Sequence, residues 1–268
     1  MTGITSVAKK TVQDLAPKHL SALAPSKRAA FTLAEVFSPH CAGRRKIAFT
    51  LAEVLITVGI IGVVAAITIP TLISKYQEKQ TVTRFKWVYS TLSNAYTMAV
   101  LENGSPKYWE LNTSQDMAEM LSKYTKVTKK CYYKSGCLPR NMSVDALTGE
   151  TRYGLLGTNA AGSWVVFVNL PNGVTLWFND VRNGCDNNYC GNIIAFISYR
   201  KVNRLGLDRF NFYITPDGIF PYGYNWSDAK VKANCTKNYI PNAGCNCCNG
   251  ETCGEWIRRW NNAKYWYN

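Results

Sequence analysis

Histidine is almost missing from this chain of 268 residues. The two histidines, His19 and His40, both precede Phe49, so residues 49–268 contain none. Histidine is the usual side chain for proton transfer near neutral pH and a frequent metal ligand. If the segment before Phe49 is removed, the rest of the chain can use neither histidine catalysis nor a histidine-ligated metal.

The sequence also lacks the patterns that mark common enzyme and cofactor sites. It contains no glycine-rich phosphate loop and no recognisable group of nucleophile, base and orienting residue. Cys245 and Cys248 have a C-x-x-C spacing, but no thioredoxin-like βαβ unit precedes them and no second C-x-x-C lies at zinc-ribbon distance. We therefore expect no enzyme activity, no cofactor and no metal site.

Positive charge is abundant but scattered. The formal net charge is +14, and residues 1–48 contain eight Lys and Arg against two Asp and Glu. After Lys46 no basic run exceeds two residues. Basic residues mixed with aromatics can follow single-stranded nucleic acid, but a footprint this diffuse is not a patch. We do not expect nucleic acid as a partner, and DNA uptake is kept only as an alternative function.

Cysteine, by contrast, is concentrated in the second half, where nine of the ten cysteines follow residue 130. This crowding indicates an oxidising compartment outside the cytoplasm, with structural disulfides as the main use of these residues. Two local pairs are predicted, Cys131–Cys137 and Cys185–Cys190. The remaining disulfide candidates are Cys235, Cys245, Cys247, Cys248 and Cys253. The sequence does not assign the pairs among them. Nine is an odd number, so one cysteine is left unpaired or joins two subunits.

The phrase FTLAEV occurs twice, at Phe31–Val36 and at Phe49–Val54. The first copy soon meets Ser38 and Pro39, and its apolar run is too short to anchor in a membrane. The second copy continues into an apolar stretch of 25 residues, Phe49–Ile73, whose only charge is Glu53. This length can cross a bilayer as a helix. Arg44, Arg45 and Lys46 precede it and predict a cytoplasmic N-terminal side.

Three interpretations of this stretch compete. A cleaved signal peptide would need an unusually long apolar region and a basic region reaching back to Met1. A plain signal anchor fits the hydropathy but leaves Glu53 unexplained, because a carboxylate in a bilayer is costly.

The third interpretation follows from a resemblance. The segment RRKIAFTLAEVLITVGIIGVVAAITIP resembles the N-terminus of type IV prepilins and type II secretion pseudopilins. The resemblance implies cleavage after Ala48 by a prepilin peptidase, methylation of the new amine of Phe49, and assembly roles for Glu53 and Pro70. Alanine stands before the cleavage point where the family usually has glycine. The likeness is confined to about residues 44–75.

For the whole chain, the resemblance implies a subunit of a secretion pseudopilus or a type IV pilus. Its partners would be identical or related pilin subunits, the prepilin peptidase and an inner-membrane assembly platform. It would begin as a single-pass protein of a bacterial inner membrane, with its C-terminal part outside the cytoplasm, and then enter a fibre. A membrane-anchored binding or adhesion protein is the alternative.

The predicted fold class is α+β. After a leader, 1–48, we expect an assembly helix over 49–73 that continues as an amphipathic helix over 74–104, with a kink at Pro70. The residues that indicate the amphipathic part recur every three or four positions and are Phe85, Tyr89, Leu92, Tyr96 and Val100.

A globular head, 105–268, follows the helix. It is expected to be irregular to about residue 160 and then folded as a small antiparallel sheet. Its tail from about residue 235 has few aliphatic residues, so disulfides are expected to hold it. Trp256 and Trp260 lie one helical turn apart in this tail and are expected to pack against the sheet.

Major pseudopilins commonly bind calcium in an acidic loop, which would correspond here to ISYRKVNRLGLDRFNF. This stretch holds Asp208 among four basic residues, whereas calcium needs several oxygen ligands without adjacent cations. We expect no calcium there, with basic side chains pairing with Asp208 instead.

Overall fold

The computed structural model describes residues 49–132, 136–138, 142–147, 149, 151–153, 166–198, 202–236 and 250–266. The chain divides into two compact units, Met1–Val54 and Leu55–Asn268. In the first unit the described part is the short stretch that begins the long helix. The second unit contains the rest of that helix, the sheets and the core.

Four α-helices are present in the described segments: α1 (Leu51–Asn103), α2 (Ser114–Ser122), α3 (Asp228–Asn234) and α4 (Cys253–Trp260). Helix α1 has 53 residues and runs through Pro70 without interruption. It ends at Asn103, where the Asn-Gly pair of the sequence predicts a stop, and Gly104 has a φ of 75°.

The strands form two sheets. Six of them make one sheet: β1 (Lys129–Tyr132), β4 (Val166–Leu170), β5 (Val174–Asp186), β6 (Tyr189–Phe196), β8 (Arg209–Thr215) and β9 (Gly218–Pro221). All neighbouring strands in this sheet are antiparallel. The other sheet has three short strands, β2 (Ser143–Asp145), β3 (Thr151–Tyr153) and β7 (Val202–Arg204).

The broad α+β prediction is confirmed, since the chain has a long N-terminal helix, an antiparallel sheet and three disulfides. Two expectations need correction. The three-stranded sheet is mixed, because β2 pairs with β7 in parallel and with β3 antiparallel. The region after residue 105 is also more regular than expected. The Thr113 hydroxyl and the Asp116 carboxylate form a reciprocal cap at the start of α2, which turns a polar stretch into a helix.

The turns that connect the large sheet follow the sequence closely. Pro171–Gly173 joins β4 to β5, and Asn172 adopts a left-handed conformation with a φ of 63°. Strands β8 and β9 form a tight hairpin in which Thr215 pairs with Gly218. The two turns contain Pro171-Asn172-Gly173 and Pro216-Asp217-Gly218, residue types that favour tight connections between strands.

The C-terminal half of α1 packs against the large sheet and forms the main core. Its buried residues recur at helical spacing and are Phe85, Val88, Leu92, Ala95, Tyr96 and Ala99. Three of the five residues predicted for this stripe are among them, and the other two, Tyr89 and Val100, are partly buried against the same core. The ring of Phe85 lies 4.9 Å from that of Phe210 and 5.6 Å from that of Phe212. The predicted amphipathic stripe is therefore the face that α1 buries.

Candidate functional site

The first half of α1 is a helix without a buried face. Every Phe, Leu, Ile and Val side chain over residues 49–73 is at least 46% exposed. Covering the part of these side chains that is still exposed would contribute on the order of 10–25 kcal/mol in favour of a membrane or a neighbouring subunit. A continuous apolar surface of this kind marks contact with a membrane or with other proteins. By length and composition, α1 is the one helix in the described residues that could cross a membrane.

The hydroxyl groups within this apolar run are satisfied inside the helix. Thr68 donates to the carbonyl of Val64 at 2.9 Å, and Thr71 donates to the carbonyl of Thr68 at 2.8 Å. Both bonds lie beside Pro70, which has no backbone N–H of its own. A helix that makes its hydrogen bonds internally suits surroundings without water, where an unsatisfied polar group costs several kcal/mol.

At the start of α1, Thr50 and Glu53 cap the helix reciprocally. The Glu53 carboxylate accepts hydrogen bonds from the Thr50 backbone N–H at 2.8 Å and from its hydroxyl at 2.9 Å. The Glu53 backbone N–H in turn donates to the Thr50 hydroxyl at 3.2 Å. This is a capping box, in which a threonine and a glutamate three residues apart satisfy free N–H groups at a helix start. Sequence reasoning missed this local role for Glu53, although the T-x-x-E spacing was there to find.

The other half of α1 is fixed to the sheet by polar contacts as well as by its apolar stripe. The Tyr96 hydroxyl donates to the carbonyls of Thr215 at 3.0 Å and Pro216 at 2.7 Å. Burial, with a smaller contribution from Asp217, raises the pKa of Tyr96 to about 12. Arg84 Nη1 donates to the carbonyl of Ile197 at 2.7 Å. The packed half of α1 is therefore bound to the sheet and its turns at two places along the helix.

Both predicted local disulfides are present, Cys131–Cys137 and Cys185–Cys190. A third disulfide joins Cys235 to Cys253, a pairing that the sequence left open. It connects α3 to α4 and is fully buried. The backbone passes so close to it that a Cβ at Gly206 would lie 2.6 Å from Cys253 Sγ. The remaining candidates, Cys245, Cys247 and Cys248, lie outside the described residues, as does Ala48 at the predicted cleavage point.

The tail is held by more than its disulfide. Glu255 in α4 has no exposed surface, and its carboxylate accepts hydrogen bonds from Arg258 at 2.6 Å and from Arg259 at 2.5 Å. Arg259 also donates to the carbonyls of Tyr224 and Trp226. The hydrogen bond with Glu255 raises the pKa of Arg258. The sequence contained a signal for this network, because a glutamate with arginines three and four residues later lies on one helix face.

The aromatic residues of the tail pack against one another and against the main core. Trp256 packs against the main core, as predicted for both tryptophans. Trp260 packs on Trp256 instead, with ring centroids 4.8 Å apart, and the Lys232 ammonium lies 4.9 Å from its ring centroid. Tyr265, further along, is buried and donates its hydroxyl to the carbonyl of Gly206. The tail thus shares the core of the sheet instead of depending on disulfides alone.

In the loop that would correspond to the calcium site, Asp208 is buried and its carboxylate accepts local hydrogen bonds. Two of the donors are the Ser198 hydroxyl at 2.7 Å and the Arg204 backbone N–H at 3.2 Å. Throughout the described segments, no group of three or more His, Cys, Asp and Glu side chains is placed to hold a metal ion.

The fold and its exposed apolar helix define an α+β protein with one candidate membrane span among its described residues. The chain belongs to a family of unknown function (DUF6613), whose sequence profile matches residues 71–262. The match begins directly after Pro70, so it includes the packed half of α1 and both sheets but not most of the apolar run. No curated protein and no solved structure matches the chain.

Proposed function

We propose that this chain is a prepilin-like structural subunit of a type II secretion pseudopilus or a type IV pilus. A prepilin peptidase cleaves between Ala48 and Phe49, and the mature subunit resides in a bacterial inner membrane before it enters a fibre. The exposed apolar half of α1 carries this proposal. It supplies a surface that a lipid bilayer covers first and the same helices of neighbouring subunits cover later.

The way in which α1 joins the sheet supports a fibre subunit. The buried half of the helix is fastened by the aromatic packing of Phe85 and the hydrogen bonds of Tyr96 and Arg84. These contacts would keep the sheet attached to α1 when the apolar half of the helix leaves the membrane and enters a fibre. The three disulfides suit a head that works outside the cytoplasm.

The capping box favours one second candidate, a membrane-anchored extracytoplasmic binding protein. Because Glu53 caps its own helix, its carboxylate has a use that requires no second subunit. In that case α1 is an anchor that stays in the membrane, and the head acts alone. A DNA-uptake pilin, by contrast, gains no support from any charge cluster in the described residues.

The test is to express the chain with and without a prepilin peptidase and a pilus assembly system, and then to shear the cells. We expect a shortened chain in the sheared fraction only when both are present. A matched variant, Leu55→Lys, puts a charge into the apolar surface and should abolish fibres by blocking helix packing. A full-length chain that stays in the membrane whether or not peptidase is present would contradict the proposal and favour the anchor.

A further inference from the structure

A cleft of about 270 Å³ lies on the head, at the end of the β5–β6 hairpin. This volume is close to the lower end of the range for small-molecule sites, so the cleft can accept one ring of a larger ligand. It is lined by three tyrosines together with small neutral polar residues. The lining residues are Asn187, Asn188, Tyr189, Tyr213, Thr215, Tyr224 and Asn225.

The lining is neutral, which is unusual for a chain with so much positive charge. Among the described residues, none that lines the cleft has a charged side chain at neutral pH. Burial raises the pKa of Tyr213 to about 12, and it also raises the pKa of Tyr189, so these two hydroxyls keep their protons at neutral pH. A phosphate or carboxylate ligand would have no cation in the lining to pair with, so anionic ligands are disfavoured.

The chemistry of the lining suits a sugar. A pyranose ring has apolar C–H faces that pack on aromatic rings, and hydroxyls that both donate and accept hydrogen bonds. Tyrosine offers an apolar ring with a polar end, and asparagine offers two donors and an acceptor in one side chain. Tyr189, Tyr213 and Tyr224 supply the rings, and Asn187, Asn188 and Asn225 supply the amides.

The rim of the cleft is held rigidly. Asn187 and Asn188 form the turn between Asp186 and Tyr189, with φ angles of 48° and 62°. The disulfide Cys185–Cys190 closes this hairpin immediately behind the turn. A fixed rim loses little conformational entropy when a ligand binds.

The tyrosine rings are fixed in the same way, by packing against other rings. The ring of Tyr213 lies 5.1 Å from Tyr189 on one side and 5.2 Å from Tyr222 on the other, both edge to face. Tyr224 stacks on Phe220 at 4.9 Å. The residue paired with Tyr213 in the sheet register is Asn192, whose side-chain amide is hydrogen-bonded to Asn211. On the strand next to Asn192 lies Asp180, whose carboxylate accepts a hydrogen bond from the Tyr189 hydroxyl at 3.3 Å and is paired with Arg182. The hydroxyl of Tyr189 is therefore already held in place by the sheet.

We propose that this cleft binds one sugar ring of a neutral glycan. The proposal does not depend on fibre assembly, because the cleft lies entirely within the second unit, Leu55–Asn268. It gives the head a binding activity that fits either a fibre subunit or an anchored protein.

The test uses the full chain in a zwitterionic detergent without sugar groups, because glycosidic detergents would compete for the cleft. Calorimetric titrations use tetrasaccharides of glucose, mannose, galactose and N-acetylglucosamine. A sulfated tetrasaccharide and an alanine tetrapeptide serve as charged and peptide comparison ligands. We expect at least one neutral tetrasaccharide to bind with little dependence on salt, and neither comparison ligand to bind as tightly.

Two variants locate the site. Tyr224→Ala removes a ring and should weaken binding about tenfold, which corresponds to about 1.4 kcal/mol. Asn188→Gly removes an amide but keeps a residue that tolerates the left-handed turn, so the fold is preserved, and it should weaken binding about fivefold. The matched control is Tyr108→Ala, because Tyr108 is 81% exposed and does not line the cleft.

Three results would overturn the proposal. The first is that no neutral tetrasaccharide binds at concentrations up to about 10 mM. A dissociation constant above this concentration would be too weak for a useful glycan site. The second is tighter binding of the sulfated sugar or of the peptide. The third is an unchanged affinity in Asn188→Gly and Tyr224→Ala variants that are folded by circular dichroism.

Discussion

Glu53 has two candidate roles, and a set of substitutions separates them. In the structure its carboxylate caps α1 together with Thr50. In the proposed fibre, the resemblance to prepilins implies a second role, in which Glu53 pairs with the positively charged amine of Phe49 on a neighbouring subunit. Glutamine at the same position can still complete a capping box, but it has no charge to pair with that amine.

The two roles differ in magnitude. Loss of a helix cap costs about 0.5–2 kcal/mol, and it affects a helix end that the rest of α1 continues to support. Removal of one partner from a buried ion pair costs about 3–5 kcal/mol, because the other charge is left alone in a low dielectric. A loss of about 3 kcal/mol at each subunit contact reduces the assembly constant by about a hundredfold. The pairing role therefore predicts a nearly complete loss of fibres.

We expect Glu53→Gln and Glu53→Ala to be inserted and cleaved normally but to assemble poorly. Insertion should not suffer, since a neutral side chain costs less in a bilayer than a carboxylate. Thr50→Ala is the matched control, because it removes the capping hydroxyl and leaves the charge in place. It should assemble almost normally, and Glu35→Ala, in the first FTLAEV copy, should have no effect. Cleavage is measured by gel shift and assembly by the amount of sheared fibre.

Normal fibres from Glu53→Gln would refute the pairing. If Glu53→Gln assembles while Glu53→Ala and Thr50→Ala both fail, the carboxylate serves as a helix cap. A defect in Glu35→Ala would show that the first copy is active.

Three further predictions concern the head. Replacing Cys235 and Cys253 with alanine should lower the free energy of unfolding by about 3 kcal/mol, since this disulfide joins residues 18 positions apart. Chemical denaturation measures the loss. A smaller loss than that caused by removing the Cys185–Cys190 disulfide, which closes a shorter loop, would contradict the prediction. Glu255→Gln should cost about 2 kcal/mol, because a neutral amide at this buried position no longer balances the charges of Arg258 and Arg259. A thermal midpoint equal to that of the unchanged protein would count against the network. Stability should fall between about pH 10 and pH 12, since the pKa of Tyr96 is raised in the folded state and its protonated form is favoured there. This loss should be smaller in Tyr96→Phe, and identical alkaline unfolding curves for the two proteins would exclude Tyr96 as a cause.

The sequence was most informative where local chemistry decides the structure. The length of α1 followed from an uninterrupted helical pattern with a stop at Asn103-Gly104, and the β4–β5 hairpin followed from Pro171–Gly173. The Cys131–Cys137 and Cys185–Cys190 disulfides were predictable because each joins residues close in sequence.

Long-range partners were not predictable in this way. The Cys235–Cys253 bond depends on how α3 and α4 pack, and five cysteines in the tail offered several pairings. The parallel pairing of β2 with β7 joins segments almost sixty residues apart, which no local pattern encodes. The cleft was missed for the same reason, because its tyrosines and asparagines come from separate strands and loops that only the folded sheet brings together.

The N-terminus of the membrane-fraction protein tests the central proposal most directly. Both FTLAEV copies follow an alanine, but only Phe49 is followed by a membrane-length apolar run. Mass spectrometry should find a mature chain that begins with N-methylated Phe49 and retains the apolar half of α1. A chain that begins at Phe31 or at Met1 would contradict a prepilin-like subunit, as would one that begins at Ile67 after signal-peptide cleavage behind Val64-Ala65-Ala66.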